Sequence, residues 1–496
     1  MKNNIIVIMC DQLRKDCLGF YGNKHVKTPN LDALARDSVV FTRNYVANPI
    51  CMPNRLSMFS GMYPRNHGLW TNGLLIRDEG FTLPHHLSGS GYQTCSIGKI
   101  HFEPGGMEQS RCADGWHGPY WGYDYVEITN SHNRVGGHAE KWFYENGGSD
   151  DMFKIQSAAD GETGLQPVPV KLHPSSFIGE RAVNYIENVR DKNKPFFMTV
   201  SFTDPHHPFV VPAEMIDEIC EIDETDETDE MGKTEAVRVY DEAGIKQPVG
   251  SPEDLSGRPE HYAQHYESRW HRKGVRDGDK AKTVSDEIKV RRIVHTYKMI
   301  ELIDKNVGKI IKTLKQENLY DGAVIVFTSD HGELLGDFGL WHKGPFFFEG
   351  LINTPLTVKS PGVRPRECEA LFSAVDIAPT LCGLTGVEIP YYCDGISQAD
   401  VLYGNKQHVR DNCMIEYRNG YHENDINSKV LVTDNYKFVA YQTGETELTC
   451  LSDDPEELKN IAGDSAHAGT LRIMKEKLLF EMLQTESKKP SQLTHA

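Results

Sequence analysis

The sequence has no cysteine pair with the C-x-x-C spacing, although it contains 11 cysteines among its 496 residues. The cysteines are odd in number and scattered, so they predict reduced thiols rather than a disulfide framework. The missing spacing also argues against a cysteine-based zinc site. Neither an internal repeat nor a low-complexity linker is present in the sequence.

Basic residues are scarce relative to acidic ones, with 53 lysines and arginines against 71 aspartates and glutamates and a net charge of -18. Such a surface repels phosphate backbones and anionic lipids, which argues against nucleic-acid and membrane partners. No apolar run approaches the roughly 20 residues of a membrane span. The run at residues 1–9 is too short, and too soon interrupted by Asp11, for a secretory leader. We therefore predict a cytoplasmic location.

Four apolar runs, at residues 5–9, 92–97, 195–202 and 323–327, predict buried β-strands. Helical spacing separates these runs, most clearly at residues 286–316. Strands that alternate with helices predict an α/β fold, in which a large doubly wound and mostly parallel sheet is flanked by helices.

The sequence pattern changes after residue 385, where short alternating runs predict an antiparallel meander followed by a helix. The alternating runs are residues 428–432, 436–441 and 447–451, and the helix is predicted at residues 471–483. A chain of 496 residues is also too long for one average domain. We predict a large α/β domain at residues 1–385 and a smaller α+β domain with an antiparallel sheet at residues 386–496.

Two stretches show no clear periodicity. Residues 104–170 are rich in glycine, aromatics and histidine and predict an excursion over one edge of the large sheet. Residues 217–230 contain only acidic residues among their charged ones. They begin a polar insertion that extends to about residue 286, and such a charge block is typical of solvated chain.

A charged or chelating side chain follows each of the four predicted strands. These side chains are Asp11 and Gln12, Lys99 and His101, His206 and His207, and Asp330 and His331. Ligands of open α/β sheets bind at the carboxyl edge, so we expect these side chains to share one site.

Cys51 precedes Pro53, which predicts the first turn of a helix, and Arg55 follows. This order places a reactive side chain at the positive end of a helix beside a fixed cation, an arrangement that suits an anion. Cysteines are more often small buried hydrophobic residues, and the local sequence alone leaves that alternative open.

The string Cys51-x-Pro53-x-Arg55, with Gly61 ten residues after the cysteine, resembles the signature of the sulfatases, a family of the alkaline phosphatase superfamily. The resemblance extends along the chain to residues 453–460. It implies an alkaline phosphatase-like fold, with the catalytic domain at residues 1–385, and the hydrolysis of sulfuric esters. It also implies that a maturing enzyme oxidises Cys51 to formylglycine, whose hydrate is the nucleophile.

The resemblance assigns a role to each candidate site residue. The residues it implies as ligands of one divalent metal are Asp11, Gln12, Cys51, Asp330 and His331. The catalytic residues it implies are Cys51, Arg55, Lys99, His101, His206 and Lys343, with His207 in place of His206 if the alignment shifts by one residue.

The implied mechanism has two stages. One hydroxyl of the hydrated aldehyde attacks sulfur while Arg55, Lys99 and Lys343 stabilise the charge on the sulfate oxygens together with the metal. His206 protonates the departing alcohol, and His101 then takes the proton of the second hydroxyl so that sulfate leaves and the aldehyde is restored.

Four residues depart from the usual family pattern: Asn54, Ser60, Gln12 and His331. Asn54 and Ser60 stand within the stretch that the maturing enzyme reads. Gln12 stands in place of a second aspartate and His331 in place of an asparagine. Fewer carboxylates and one imidazole weaken the preference for calcium, the expected ion, so manganese and zinc are alternatives.

Two other functions stay open. Gln12 and His331 also resemble the phosphonate monoester and phosphodiester hydrolases, which use the same nucleophile. A non-catalytic binding protein that retains the Cys51 thiol is a further alternative, although unused buried charges are costly. The predicted substrate is a small aryl, alkyl or sugar sulfate, and the oligomeric state is not predicted.

Overall fold

The structure is a computed structural model of the chain. It describes residues 2–112, 115–132, 134–157, 161–216, 245, 247–267, 284–419 and 425–487. The acidic run predicted to be solvated, at 217–230, lies outside the described residues, as does most of the predicted insertion that follows it.

An eight-stranded mixed sheet forms the centre of the molecule. Its strands, in spatial order, are β12 (Arg366–Cys368), β2 (Val39–Phe41), β11 (Leu356–Lys359), β10 (Val324–Ser329), β1 (Ile5–Cys10), β8 (Phe196–Ser201), β4 (Gln93–Gly98) and β5 (Tyr125–Ile128). All neighbours from β10 to β5 are parallel, whereas β11 is antiparallel to β10 and to β2. The sheet is therefore mostly parallel, as predicted.

Helices cover both faces of this sheet. Ile6 of β1 belongs to a core cluster with residues of the helix Asp286–Gln316, and Val7 belongs to a second cluster with residues of the helix Cys51–Ser60. Every residue of β1 is buried because both of its faces are covered. This burial is the physical reason for its unbroken apolar sequence.

The helices of the described residues vary from one to about nine turns. They are Pro29–Arg36, Cys51–Ser60, Pro64–His67, Leu83–Gly89, Gly105–Ser110, His138–Glu145, Pro174–Asn184, Glu260–Tyr266, Asp286–Gln316, Glu349–Ile352, Ile377–Thr385, Ala399–Leu402 and Ala468–Gln484. None of them is both long enough and apolar enough to span a membrane.

A four-stranded antiparallel sheet follows the large sheet along the chain. Its order is β14 (Cys413–Asn419), β15 (Ile426–Val432), β16 (Tyr436–Tyr441) and β17 (Thr446–Cys450). Leu478 of the helix Ala468–Gln484 shares a core cluster with Leu431 and Phe438 of this sheet. The predicted fold class is confirmed, while the boundary at residue 385 stays a prediction.

Two small sheets complete the fold. One contains β6 (Gln156–Ser157), β7 (Thr163–Gln166) and β9 (Phe209–Pro212), and the other pairs β3 (Asn44–Tyr45) with β13 (Phe372–Ser373).

The structure corrects several element predictions. Strands β5, β11 and β12 were not predicted because runs of three or four residues carry little periodicity, and β5 lies inside the predicted excursion at 104–170. β14 was also missed. The helix predicted to start at Pro53 begins at Cys51, so the cysteine is itself the first helical residue.

Candidate active site

The candidate site lies at the carboxyl edge of the four central strands. Strands β10, β1, β8 and β4 are neighbours in that order and run in the same direction. Asp330, Asp11 and Lys99 each follow directly after one of these strands, and His206 follows β8 after four residues. The sheet topology thus gathers residues that are as far as 319 positions apart in the sequence.

Four predicted metal ligands form one fully buried cluster. Single ligand atoms of Asp11, Cys51, Asp330 and His331 all lie within 4.8 Å of one another. The Cys51 Sγ is 3.1 Å from His331 Nε2 and 3.6 Å from Asp11 Oδ1. His331 Nε2 is also 3.6 Å from one oxygen of each aspartate.

His331 presents the correct ring nitrogen for a metal. Its Nδ1 is 2.8 Å from the carbonyl oxygen of Gly332, and a carbonyl only accepts, so Nδ1 carries the proton and donates it. The neutral ring is then unprotonated at Nε2, the atom that faces Cys51. Such a backbone contact is the usual way in which a protein fixes the tautomer of a histidine ligand.

Gln12 lies beside this cluster in a left-handed backbone conformation, with φ of 68°. Its backbone N–H donates to Asp330 Oδ1 at 3.1 Å. Its side-chain Nε2 donates to Glu333 Oε2 and to His207 Nδ1, the latter at 3.0 Å. Its Oε1 is buried and has no hydrogen-bond partner among the described residues. A buried amide oxygen in this state, on a residue that adjoins Asp11 and bonds Asp330 through its backbone, fits a ligand of a divalent metal.

Three cations surround the two aspartates. Lys99 donates through Nζ to Asp11 Oδ2, and Lys343 places Nζ 2.8 Å from Cys51 Sγ and 3.0 Å from His331 Nε2. Arg55 is fully buried, and its Nε donates to Asp330 Oδ2 at 2.6 Å.

The other contacts of Arg55 turn it toward the interior of the protein. One terminal nitrogen donates to the carbonyl of Lys99 at 2.7 Å and to Ser201 Oγ at 2.9 Å, and the other lies 3.7 Å from Asp11. Arg55 therefore holds both aspartates and the end of β4 in place.

These charges change the ionisation of the site. Burial raises the pKa of Asp11, but Lys99 and its cationic neighbours outweigh that effect and hold the pKa well below its ordinary value. Burial lowers the pKa of Lys343, but Cys51 and Asp11 raise it above its ordinary value. Asp11 is therefore an anion and Lys343 a cation at neutral pH.

Three imidazole rings stack in a column at one side of the cluster, and a fourth ring contacts the end of the column at a tilt of 55°. The ring centroids of His132 and His206 are 3.9 Å apart, those of His206 and His207 are 4.0 Å apart, and those of His207 and His342 are 4.0 Å apart. His132 and His206 each place a ring nitrogen within 4.8 Å of a carboxylate oxygen of Asp11. Burial and its histidine neighbours hold the pKa of His206 well below the ordinary value.

His101 is held by backbone contacts rather than by its ring. It has a φ of 61°, and its N–H donates to Glu108 Oε2 at 3.0 Å. Glu108 also accepts the N–H groups of Phe102 and Glu103, which fixes the whole turn. The ring Nδ1 of His101 has no hydrogen-bond partner among the described residues. Burial and Lys99 hold the pKa of this imidazole well below its ordinary value.

Three residues of the site were not predicted: His132, Glu333 and His342. His132 follows β5, so recognition of that strand as part of the large sheet would have placed it at the carboxyl edge. Glu333 and His342 are close in sequence to His331 and Lys343. The structure alone places them in the site, because Glu333 accepts from Gln12 and the His342 ring contacts the His207 ring.

Comparisons with known proteins agree with this geometry. The family model described as Sulfatase matches residues 3–387, and the model described as N-sulphoglucosamine sulphohydrolase, C-terminal, matches residues 336–484. The arylsulfatase of Clostridium perfringens is 27% identical over 508 residues, which covers 97% of this chain and 95% of that protein. The choline-sulfatase of Rhizobium meliloti is 29% identical over 473 residues, covering 93% and 82% respectively.

A solved structure extends the comparison to the whole fold. The phosphonate monoester hydrolase of Agrobacterium radiobacter superposes with a TM-score of 0.80 at 25% identity, and the match covers 100% of this chain and 98% of that one. Since the sulfatase match spans most of the chain and the fold agrees along its full length, the protein belongs to the sulfatase family and is a sulfatase-type hydrolase of the alkaline phosphatase superfamily.

Proposed function

We propose that the protein hydrolyses sulfate monoesters with a formylglycine at position 51 and one divalent metal ion. One observation carries the proposal. Cys51 begins a helix and has its Sγ among the ligand atoms of Asp11, Asp330 and His331, with the ammonium of Lys343 at 2.8 Å. A nucleophile at a helix N-terminus, beside a metal site and a cation, suits attack on a tetrahedral anion.

Five residues would hold the metal: Asp11, Gln12, residue 51, Asp330 and His331. When bound, the ion would supply positive charge that polarises the sulfate and favours ionisation of the nucleophile. The donor set mixes oxygen with one imidazole, so calcium, manganese and zinc all stay candidates. Arg55, predicted from the sequence as a catalytic residue that stabilises the sulfate oxygens, would act instead as a positioning residue for the two aspartates, because its hydrogen bonds go to Asp330, the Lys99 carbonyl and Ser201.

The nucleophile would be one hydroxyl of the hydrated aldehyde at residue 51. Its oxygen forms a bond to sulfur while the bond from sulfur to the alcohol oxygen breaks, and Lys99 and Lys343 stabilise the charge on the sulfate oxygens. The alcohol leaves with a proton from His206. His101 then removes the proton of the second hydroxyl, the bond from carbon to the sulfate oxygen breaks, and the aldehyde returns.

The hydrogen bonds of His206 indicate which of its atoms transfers the proton. Nδ1 donates to the carbonyl oxygen of His207 at 2.6 Å, which leaves Nε2 for the leaving group. Because the pKa of His206 is low in the free protein, the protonated form is scarce at neutral pH. We therefore expect kcat/KM to increase as the pH falls from neutral toward mildly acidic values.

The substrate class rests on the relatives, which are named as enzymes of aryl and choline sulfates. A small sulfate ester of an aryl, alkyl or sugar alcohol is the corresponding proposal here. A phosphonate monoester is the second candidate, because the superposed structure is that of a phosphonate monoester hydrolase. The pairs Asp11-Gln12 and Asp330-His331 also resemble that family in sequence. Both esters are tetrahedral and carry a single negative charge.

The test is a comparison of turnover on 4-nitrophenyl sulfate and on 4-nitrophenyl phenylphosphonate. The protein is produced together with a maturing enzyme and is supplied with calcium, manganese or zinc in turn. We expect the sulfate ester to have the higher kcat/KM, and Cys51→Ala to abolish turnover of both. A higher kcat/KM for the phosphonate would favour the second candidate, and no turnover of either ester would contradict both.

A further inference from the structure

Glu333 is a buried carboxylate that the mechanism above does not use. It is 2% exposed. Its Oε1 accepts the backbone N–H groups of Leu335, at 3.2 Å, and of His342, while its Oε2 accepts from Gln12 Nε2. All of these contacts come from N–H donors, so Glu333 acts here only as an acceptor.

The contacts of Glu333 decide which way the amide of Gln12 points. The two ends of an amide have nearly the same shape, so its orientation is set by its hydrogen bonds. An amide oxygen toward Glu333 would place two acceptors against each other. The NH2 group must therefore face Glu333 Oε2, where it also reaches His207 Nδ1 at 3.0 Å. The buried Oε1 is then the end without a partner among the described residues.

We propose that Glu333 is a positioning residue that holds the Gln12 amide with its oxygen available to the metal ion, with His207 as a second acceptor. The inference rests on the metal site of the proposed function. It assigns Glu333 a task other than holding the metal itself, since its hydrogen bonds among the described residues go to the amide of the proposed ligand Gln12 and to two backbone N–H groups.

A purely structural role for Glu333 is the competing explanation, because it also anchors the turn that leads to His342. The variant Glu333→Gln separates the two explanations. The two backbone N–H groups require an oxygen at the position of Oε1, so the new NH2 group faces Gln12. Two NH2 groups then oppose each other, the Gln12 amide turns over, and its nitrogen replaces its oxygen at the metal. The backbone anchor is kept throughout.

The reciprocal change gives a rescue. In Gln12→Glu alone, a second carboxylate faces Glu333, and the repulsion disturbs the site. In the double variant Gln12→Glu/Glu333→Gln, the NH2 group of residue 333 donates to one carboxylate oxygen of residue 12, and the other oxygen is free for the metal. The pair has the same net charge as the parent pair, with the carboxylate now at residue 12, so the double variant restores a donor–acceptor pair and keeps an oxygen for the metal.

The experiment is calorimetric titration of Mn²⁺ into the full-length protein after chelation. The parent, the two single variants and the double variant are compared, with the exposed Glu180→Gln as a matched control. Loss of an outer partner of a metal ligand typically weakens affinity about 10- to 100-fold. We expect that loss in Glu333→Gln, weaker binding in Gln12→Glu than in the double variant, affinity at or above the parent value in the double variant, and no change in the control.

Two results would overturn the inference: parent-like Mn²⁺ affinity in Glu333→Gln, or a double variant that binds no better than the single ones. Turnover of a sulfate ester, measured on the matured proteins, distinguishes this failure from a failure of the proposed function. We expect Glu333→Gln to need more Mn²⁺ for half-maximal turnover and to approach the parent kcat at saturating Mn²⁺. If the parent binds Mn²⁺ but turns over no ester, the proposed function fails while the positioning role stands.

Discussion

Lys343 shows how a single residue contributes to the candidate chemistry. Its ammonium lies 2.8 Å from Cys51 Sγ and 3.0 Å from His331 Nε2, and both of these partners are buried. A fixed cation in such a place stabilises developing negative charge far better than it would in water.

We predict that Lys343→Ala lowers kcat for a sulfate ester by about 10²- to 10³-fold, the usual cost of one preorganised charge-stabilising group. The measurement is steady-state turnover of the matured protein. Lys141→Ala, at an exposed position, is the control and should leave kcat unchanged. An unchanged kcat in Lys343→Ala would show that Lys343 does not stabilise the transition state.

His132 makes stability depend on pH. Burial and the nearby Lys99 lower the pKa of His132 to about 3, while an unfolded histidine titrates near 6.5. As the pH falls, the unfolded chain takes up this proton well before the folded protein does, so stability is lost toward acid pH.

We predict that His132→Phe, which keeps a flat ring against His206, removes this part of the acid sensitivity. Between pH 7 and pH 5 the parent should lose roughly 2 kcal/mol more stability than the variant. The measurement is urea unfolding of the chelated proteins at both pH values. Equal losses in the two proteins would mean that His132 titrates normally in the folded state.

At the scale of elements, the side chain of Asn54 joins the helix Cys51–Ser60 to the residue that follows β10, in addition to the contact of Arg55 with Asp330. Asn54 is fully buried, its Oδ1 accepts the backbone N–H of Ala47 at 2.8 Å, and its Nδ2 donates to the carbonyl of Asp330. Asn54, one of the four residues that depart from the family pattern, thus connects Ala47 to the end of β10.

We predict that Asn54→Ala destabilises the protein because it leaves two buried backbone groups without partners, each at about 1–3 kcal/mol. The exposed turn residue Asn193 offers a matched control, since Asn193→Ala removes the same atoms from the surface. The free energy of unfolding in urea is the measurement. A loss no larger than that of the control would refute the bridging role.

The sequence predicts the parts of this site that follow strongly apolar strands, because burial on both faces leaves an unmistakable local pattern. Asp11, Lys99, His206 and Asp330 belong to that group. His132 could not be predicted in the same way, since the short edge strand β5 carries too weak a pattern. His132 also contacts the carbonyl of Thr203, which lies 71 residues away in the sequence, and a contact over that distance produces no pattern in the residues around His132.

At the scale of the whole molecule, the two predicted domains share a buried ion pair. Arg410 donates through Nε to Asp376 Oδ2 at 2.8 Å, and the two side chains are 4% and 0% exposed. Asp376 lies before the predicted boundary at residue 385 and Arg410 after it. In addition, the backbone N–H of Glu416 in β14 donates to the carbonyl of Ala47 at 2.9 Å.

We predict that the two parts unfold as one unit and that Arg410→Met costs about 3–5 kcal/mol, because it leaves the buried Asp376 charge unpaired. Urea unfolding of the full chain tests this, with Arg418→Met at an exposed position of β14 as the control. A loss of less than about 1 kcal/mol, typical of exposed pairs, would argue that the interface is weak and the domains are independent.

The proposed function depends on a formylglycine at residue 51. The most direct test is the mass of the peptide that carries residue 51, from protein produced with and without a maturing enzyme, measured beside turnover of a sulfate ester. We predict the mass of the aldehyde only after maturation, and turnover in proportion to the converted fraction. A thiol at residue 51 in both preparations, with turnover retained, would contradict the account and place the nucleophile elsewhere.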